Sequence, residues 1–150
     1  MVVVKRQLRR CHILFPSVDM KQILVNGTFD ILHPGHVQLL NYARGLGDNL
    51  IVAIDSDRRV RELKGKDRPV NSEHDRKLML ENLRSVDSVW VFDSTQELED
   101  ICRLCNPIMV KGSDYHDRDI VGQQHCKEII FYDRIEPYST TRCIQNIGSR

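Results

Sequence analysis

The chain has 150 residues and a formal net charge of +1, enough for one domain with a real core but not for two substantial ones. So balanced a charge gives no broad field to draw nucleic acid or a membrane surface, and no apolar run approaches the roughly 20 residues of a membrane span. The opening stretch, MVVVKRQLRRCHILFPSVDM, lacks the long apolar run and small-residue cleavage site of a secretory signal, so a soluble, cytoplasmic protein is expected.

Residues 1–20 stand outside the pattern that follows and are read as an N-terminal extension of unknown role, with the folded domain over 21–150. Met20 leaves open a later start or a loosely docked extension. From Lys21 on, strand-like and helix-like segments alternate. QILVNG is a short continuous apolar run, as expected of a strand covered on both faces. GHVQLLNYARGLG carries Val37, Leu40 and Ala43 on one stripe and stops at Gly45 and Gly47. NLIVAID is the second strand, DSDRRVRELKGKDRP a loop, and EHDRKLMLENLRSV a helix with Ser72 as N-cap and Asp75 as the capping-box acid. SVWVFD, PIMVKG and KEIIFYDR are further strands. TQELEDICRLC is a helix between the first two of these, and STTRCIQNI is a closing helix capped by Ser139.

Alternation of this kind predicts a single α/β domain, a Rossmann-like doubly wound parallel sheet of about five strands. Ligands in such sheets bind beyond the carboxyl ends of the strands. The loops to inspect are therefore NGTFDILHPGH, DSDRRVRELKGKDRP, FDST, KGSDYHDRDIVG and DRIEPYSTT.

Five cysteines are an odd number for a secreted disulfide framework. Cys102 and Cys105 form a C-x-x-C, but Leu98, Ile101, Leu104 and Cys105 recur at helical spacing, so packed thiols on a helix are expected. No second C-x-x-C or H-x-x-x-H completes a zinc set, and no metal ligands are assigned.

His33 and His36 are three residues apart around Pro34 and Gly35. Proline suits the first helical turn, because its missing N–H has no partner there. The two imidazoles then project from one side of the opening turn. The helix end favours an anion, and Gly35 removes a side chain where a phosphate needs close approach. Gly27 and Thr28, at the end of the preceding strand, add backbone N–H groups that can face phosphates. A lone H-x-x-H reads as well as a capping histidine beside an exposed one; in this context it suits phosphoryl or nucleotidyl chemistry.

GTFDILHPGH resembles the H-x-G-H signature of the nucleotidyltransferase superfamily that includes the small cytidylyltransferases and the ADP-heptose synthases. VRELKGKDRPVNSEHDRKLMLENLRSVDSVWVF is similar to the segment these enzymes place after the second strand. IMVKGSDYHDRDIVG resembles the matching stretch of heptose-phosphate adenylyltransferase domains in particular, and YSTTRCIQNI resembles the closing S-T-T helix. The likeness runs from about Lys21 to Ile147.

The resemblance implies attack of a sugar or polyol phosphate on the α-phosphorus of a nucleoside triphosphate, releasing pyrophosphate. Such displacement needs positioning and neutralisation of charge more than covalent help. It implies His33, His36 and Lys64 as catalytic, with Lys64 on a flexible loop following the phosphates. Nucleotide contacts are implied for Gly27, Thr28, Phe29, Asp30, Gly35, Arg76, Lys111, Gly112, Ser139, Thr140 and Thr141, Asp30 serving equally as a cap that orients its loop. Acceptor contacts are implied for Lys66, Arg68, Asp114, Tyr115 and Arg134. Basic loop residues such as Lys66 and Arg68 are commonly only solvated, and Ser139 alone would satisfy an ordinary N-cap. Thr140 and Thr141 are poor helix formers and suit ligand contact. Pro137 and Tyr138 depart from the cytidylyltransferase pattern, which places Gly and Ile there; proline removes an N–H from that loop.

The resemblance further implies Mg²⁺ carried with the triphosphate, held by phosphate oxygens and water, and a homodimer. KGKDRPVN and KGSDY favour ATP with D-glycero-D-manno-heptose 1-phosphate, forming ADP-heptose. Arg134 ahead of STT favours CTP with glycerol 3-phosphate or another polyol phosphate. Aminoacyl-tRNA synthetases also use a histidine signature, but the chain lacks K-M-S-K-S and a basic surplus for RNA. Neither a GxxxxGK[ST] nor a GxGxxG loop is present. A nucleotide-binding module without catalysis is the non-enzymatic alternative.

Overall fold

Five apolar segments of this sequence meet in one sheet because each is flanked by a helix that covers it. The computed structural model describes residues 20–133 and 138–149. The extension expected over 1–20 therefore lies outside the described residues except for Met20.

The strands are β1 (Gln22–Gly27), β2 (Asn49–Asp55), β3 (Ser88–Phe92), β4 (Ile108–Gly112) and β5 (Glu128–Tyr132). They lie in the order β3-β2-β1-β4-β5, and every neighbouring pair is parallel. Register runs from Gln22–Asn49 to Gly27–Ile54 between β1 and β2, and from Ile23–Ile108 to Val25–Val110 between β1 and β4. The order reverses direction between β1 and β4, so the crevice for a ligand opens at their carboxyl ends.

The helices are α1 (Pro34–Arg44), α2 (Asp57–Lys64), α3 (Glu73–Glu81), α4 (Thr95–Cys105) and α5 (Thr140–Gly148). Leu40 and Ala43 of α1 and Leu80 of α3 pack with Ile23, Val25, Val52 and Val110 on one face of the sheet. Leu98, Ile101 and Cys102 of α4 pack with Leu24, Ile51, Ala53 and Met109 on the other. Both faces are thus covered, which is why β2 is buried at every position after Asn49. Cys102 is buried and Cys105 half-buried on α4, both as free thiols, in keeping with the packed-helix reading of the C-x-x-C. Among the described residues no helix is long and apolar enough to cross a membrane.

Helix α2 corrects the sequence reading, which took DSDRRVRELKGKDRP as a loop. Ser56 caps it by accepting from Arg59 N at 3.1 Å. Asp57 stands in its first turn and Arg61 and Lys64 in its last, both favourable to the helix dipole. Only Val60 is buried, so no apolar stripe marks the helix in the sequence. Gly65, at φ 97°, ends it in a conformation that side chains rarely adopt. The other caps follow expectation: Ser72 accepts from Asp75 N at 3.2 Å, and Ser139 accepts from Arg142 N at 3.1 Å. Helix α3 stops at Glu81, short of the Val86 expected from the apolar pattern.

Candidate active site

A cavity of about 430 Å³ lies at the carboxyl ends of β1 and β4. Its floor begins where β1 ends, at Asn26, Gly27 and Thr28. Phe29 then turns the chain through the left-handed region, with φ 49°. A non-glycine residue there is uncommon and costs of order 1 kcal/mol or more. Its buried ring packs over Gly27 and lies 4.9 Å from the ring of His36.

His33 is the N-cap of α1 and Pro34 its first residue. The carbonyl of His33 accepts from His36 N at 2.9 Å, so the two side chains rise from consecutive corners of one turn. Their rings stack, with centroids 3.7 Å apart and planes 18° from parallel. No side chain caps this helix end and no acidic residue stands in its first turn, so the positive end of the dipole is left to the cavity. A side chain at position 35 would come within 3.0 Å of Tyr138 Cβ and 3.1 Å of the His33 ring. Glycine there lets the start of α1 and the residue before Ser139 approach closely. Helix α5 brings its own N-terminus to the opposite wall, where Ser139, Thr140 and Thr141 line the cavity.

The third wall is basic. Lys64, the last residue of α2, and Arg68 both line the cavity. Lys64 is thus held at a helix end, not on the flexible loop expected from the sequence. Desolvation at the cavity, aided by the neighbouring Arg68 guanidinium, pulls its ammonium below the usual lysine range.

Asp30 fixes this wall from beneath. It is 2% exposed and accepts from Arg68 Nε at 2.8 Å, Val70 N at 2.9 Å and Asn71 N at 2.9 Å. Burial alone would raise its carboxyl, but the Asn71 and Val70 amides and the Arg68 guanidinium outweigh it, and its pKa lies below the ordinary value. A depressed pKa contributes stability that is present above the unfolded carboxyl value of about 3.9 and lost as pH falls through the folded one. Asp30→Asn is therefore expected to lower the urea midpoint at pH 7, and the gap from the parent should narrow as pH drops below about 4. A gap independent of pH would assign the loss to packing instead.

The cavity gathers Gly27, Thr28, Phe29, Asp30, His33, Gly35, His36, Lys64, Arg68, Gly112, Asp114, Tyr115, Ser139, Thr140 and Thr141. It does not gather three others. Lys66 is exposed on the loop after α2 and lies off the lining. Lys111 is set behind Tyr115, its Nζ 4.7 Å from that ring. Arg76 is the clearest departure from expectation: 1% exposed, it lies beneath the site. It donates to Thr28 O at 2.7 Å, Asp55 O at 2.9 Å, Asn71 O at 3.1 Å and Asp57 Oδ1 at 2.8 Å. Each of its three guanidinium nitrogens donates to the protein, so its first-turn position serves as a clamp on these segments. Arg134 and Pro137 lie outside the described residues. The sequence reading missed Asn26, Leu39 and Tyr132 and treated Tyr138 only as a departure; all four line the cavity. Asn26 is the last residue but one of β1 and Tyr132 the last of β5, so the carboxyl-end rule applied residue by residue would have found them.

A family model described as cytidylyltransferase-like matches residues 24–146. The chain is 46% identical over 132 residues to "Bifunctional protein HldE" of Helicobacter hepaticus, covering 86% of this chain and 27% of that protein. It is 44% identical over 136 residues to the protein of the same name from Campylobacter concisus, covering 91% and 29%. The chain thus spans less than a third of the length of these relatives. Among solved structures, the lipopolysaccharide core biosynthesis protein from Thermoplasma volcanium GSS1 aligns with a TM-score of 0.64 at 24% identity, over 78% of this chain and 99% of that one. A bifunctional NMN adenylyltransferase/ADP ribose pyrophosphatase from Francisella tularensis, complexed with AMP and Mn ion, aligns with a TM-score of 0.64 at 18% identity, over 87% and 42%. At these identities the two structures speak to the fold alone.

Proposed function

From its membership of the cytidylyltransferase-like family, to which this chain belongs, we propose that it is a nucleotidyltransferase joining AMP from ATP to D-glycero-D-manno-heptose 1-phosphate. The observation that carries this reading is the stacked histidine pair at one helix N-terminus, facing a second helix N-terminus and Lys64 across one cavity. Anionic phosphate is the chemistry that three such groups share. The choice of heptose rests on the KGKDRPVN and KGSDY stretches.

In the reaction a phosphate oxygen of the sugar attacks the α-phosphorus of ATP. The bond from that phosphorus to the bridging oxygen breaks, and pyrophosphate leaves with the electron pair. His33 and His36 donate to oxygens that gain charge as the α-phosphorus becomes five-coordinate. Lys64 neutralises the departing phosphates. Asp30 and Arg76 touch no substrate; they hold the walls on which the donors stand, and rigid placement is where such displacement gains most. Mg²⁺ enters as part of the Mg–ATP substrate. Such an ion is held largely by phosphate oxygens and water, because Mg²⁺ dehydrates reluctantly. A cytoplasmic location and a homodimer complete the reading; the free thiols Cys102, Cys105, Cys126 and Cys143 suit a reducing compartment.

Pyrophosphate release is the direct test, with ATP and CTP each paired with heptose 1-phosphate and with glycerol 3-phosphate. Release confined to ATP with heptose 1-phosphate is expected. Release only with CTP would retain the chemistry and move the protein to the CTP-dependent reading. Nucleotide binding without release in any pairing would leave a binding module.

A further inference from the structure

The ladder between β1 and β4 ends at the pair Val25–Val110, although β1 stays paired with β2 as far as Gly27 and β4 with β5 as far as Gly112. The two central strands therefore part early, and the first residues inside the gap are Asn26 and Lys111. Strand alternation sends both side chains to the face that carries Leu24 and Met109, toward α4.

Each of the two is unsatisfied in a complementary way. The Oδ1 of Asn26 is buried with no hydrogen-bond partner, and Asn26 lines the cavity. Lys111 is only 9% exposed, and its Nζ lies 4.7 Å from the centre of the Tyr115 ring. Desolvation pulls its ammonium below the usual lysine range. The charged and titratable groups facing it are Asp55, Asp114, Cys102 and Cys126. Asp55 is already taken by Arg59 Nε at 2.8 Å. Asp114 faces the ammonium without a hydrogen bond or ion pair to it among the described residues, and an ammonium this buried is costly unless an anion arrives to meet it closely. A buried acceptor oxygen without a donor is costly unless a hydroxyl arrives. Phosphate and hydroxyl on one small molecule describe a phosphorylated polyol or sugar.

We propose that Asn26 and Lys111 form the acceptor subsite, Lys111 meeting the phosphate of the incoming sugar phosphate and Asn26 Oδ1 accepting from one of its hydroxyls. This rests on the transferase reading but assigns the pair to the acceptor and not to the nucleotide, whose phosphates belong to the helix ends. The Lys111 ammonium lies over the ring of Tyr115, a residue that lines the cavity and holds the charge until the phosphate replaces it.

Lys111→Met tests this, because methionine fills the space and removes the charge. Three quantities are measured: the melting midpoint without ligand, the dissociation constant for ATP alone, and the KM for heptose 1-phosphate at saturating ATP. The midpoint is expected to hold or rise, the ATP constant to stay within twofold, and KM to rise at least tenfold. Asn26→Ala should raise the same KM with ATP binding unchanged. A fall in the Lys111→Met midpoint would mean the ammonium is already partnered, and overturns the proposal. So does an unchanged KM, or ATP binding weakened as much as KM. If the parent protein does not turn over heptose 1-phosphate, the functional reading fails, and the subsite is tested separately. Inorganic phosphate and glycerol 3-phosphate are then titrated calorimetrically in the presence of α,β-methylene-ATP. Binding of either that weakens at least tenfold in Lys111→Met supports the subsite; binding that does not, or no binding to the parent, overturns it.

Discussion

His36→Ala is expected to cut turnover by about 10²–10³-fold, the cost of removing one preorganised donor from a developing charge, while ATP binding changes far less. His36 suits this test better than His33. His33 is both N-cap of α1 and 8% exposed, so its removal disturbs the helix end together with the chemistry. His36 stands one turn in, stacked on His33 at 3.7 Å and tilted against Phe29 at 4.9 Å. Alanine there leaves the backbone path of the helix intact. A donor that acts only when charge grows on the α-phosphorus should lower kcat and kcat/KM together. Single-turnover pyrophosphate release, beside calorimetric ATP binding, separates this from a loss of affinity. Turnover within fivefold of the parent would take His36 out of the reacting centre. Loss of ATP binding equal to the loss of rate would make the ring a ground-state contact.

Which parts of this site could be read from the sequence follows from how local their causes are. Strand β2 could be, because burial on both faces demands an unbroken apolar run and NLIVAID supplies one. The α1 platform could be, because proline, glycine and the i, i+3 histidines act within a single turn. The caps at Ser72 and Ser139 could be for the same reason. Helix α2 could not: it buries Val60 alone and forms through its cap and end charges, so its polar sequence resembles a loop. Arg76 could not either. Its acceptors on Thr28 and Asp55 are backbone carbonyls 48 and 21 residues away, and carbonyls leave no trace in side-chain identity. Asn26 hides similarly, since its oxygen acquires meaning only where β1 parts from β4.

Arg76→Met should be the most destabilising single change in the domain, by about 3–5 kcal/mol, the usual cost of breaking a buried charged network from one side. The guanidinium is fully buried and joins four acceptors from three segments: Thr28 after β1, Asp55 and Asp57 around the β2–α2 junction, and Asn71 before α3. Methionine restores bulk but leaves the three carbonyls and the Asp57 carboxylate without their donor. Against a total stability of roughly 5–15 kcal/mol for a domain of this kind, that loss takes a fifth or more, and the urea midpoint should fall accordingly. Arg76→Lys should fall nearly as far, because one ammonium cannot meet acceptors spread around a planar fork. The same substitutions separate a clamp from a ligand contact. A clamp predicts reduced stability, with ATP binding recovered in the fraction that remains folded. A stable Arg76→Met protein with weakened ATP binding would instead return Arg76 to the phosphates. The geometry favours the clamp because the donors that would reach a phosphate already hold Thr28 in place beneath the histidines.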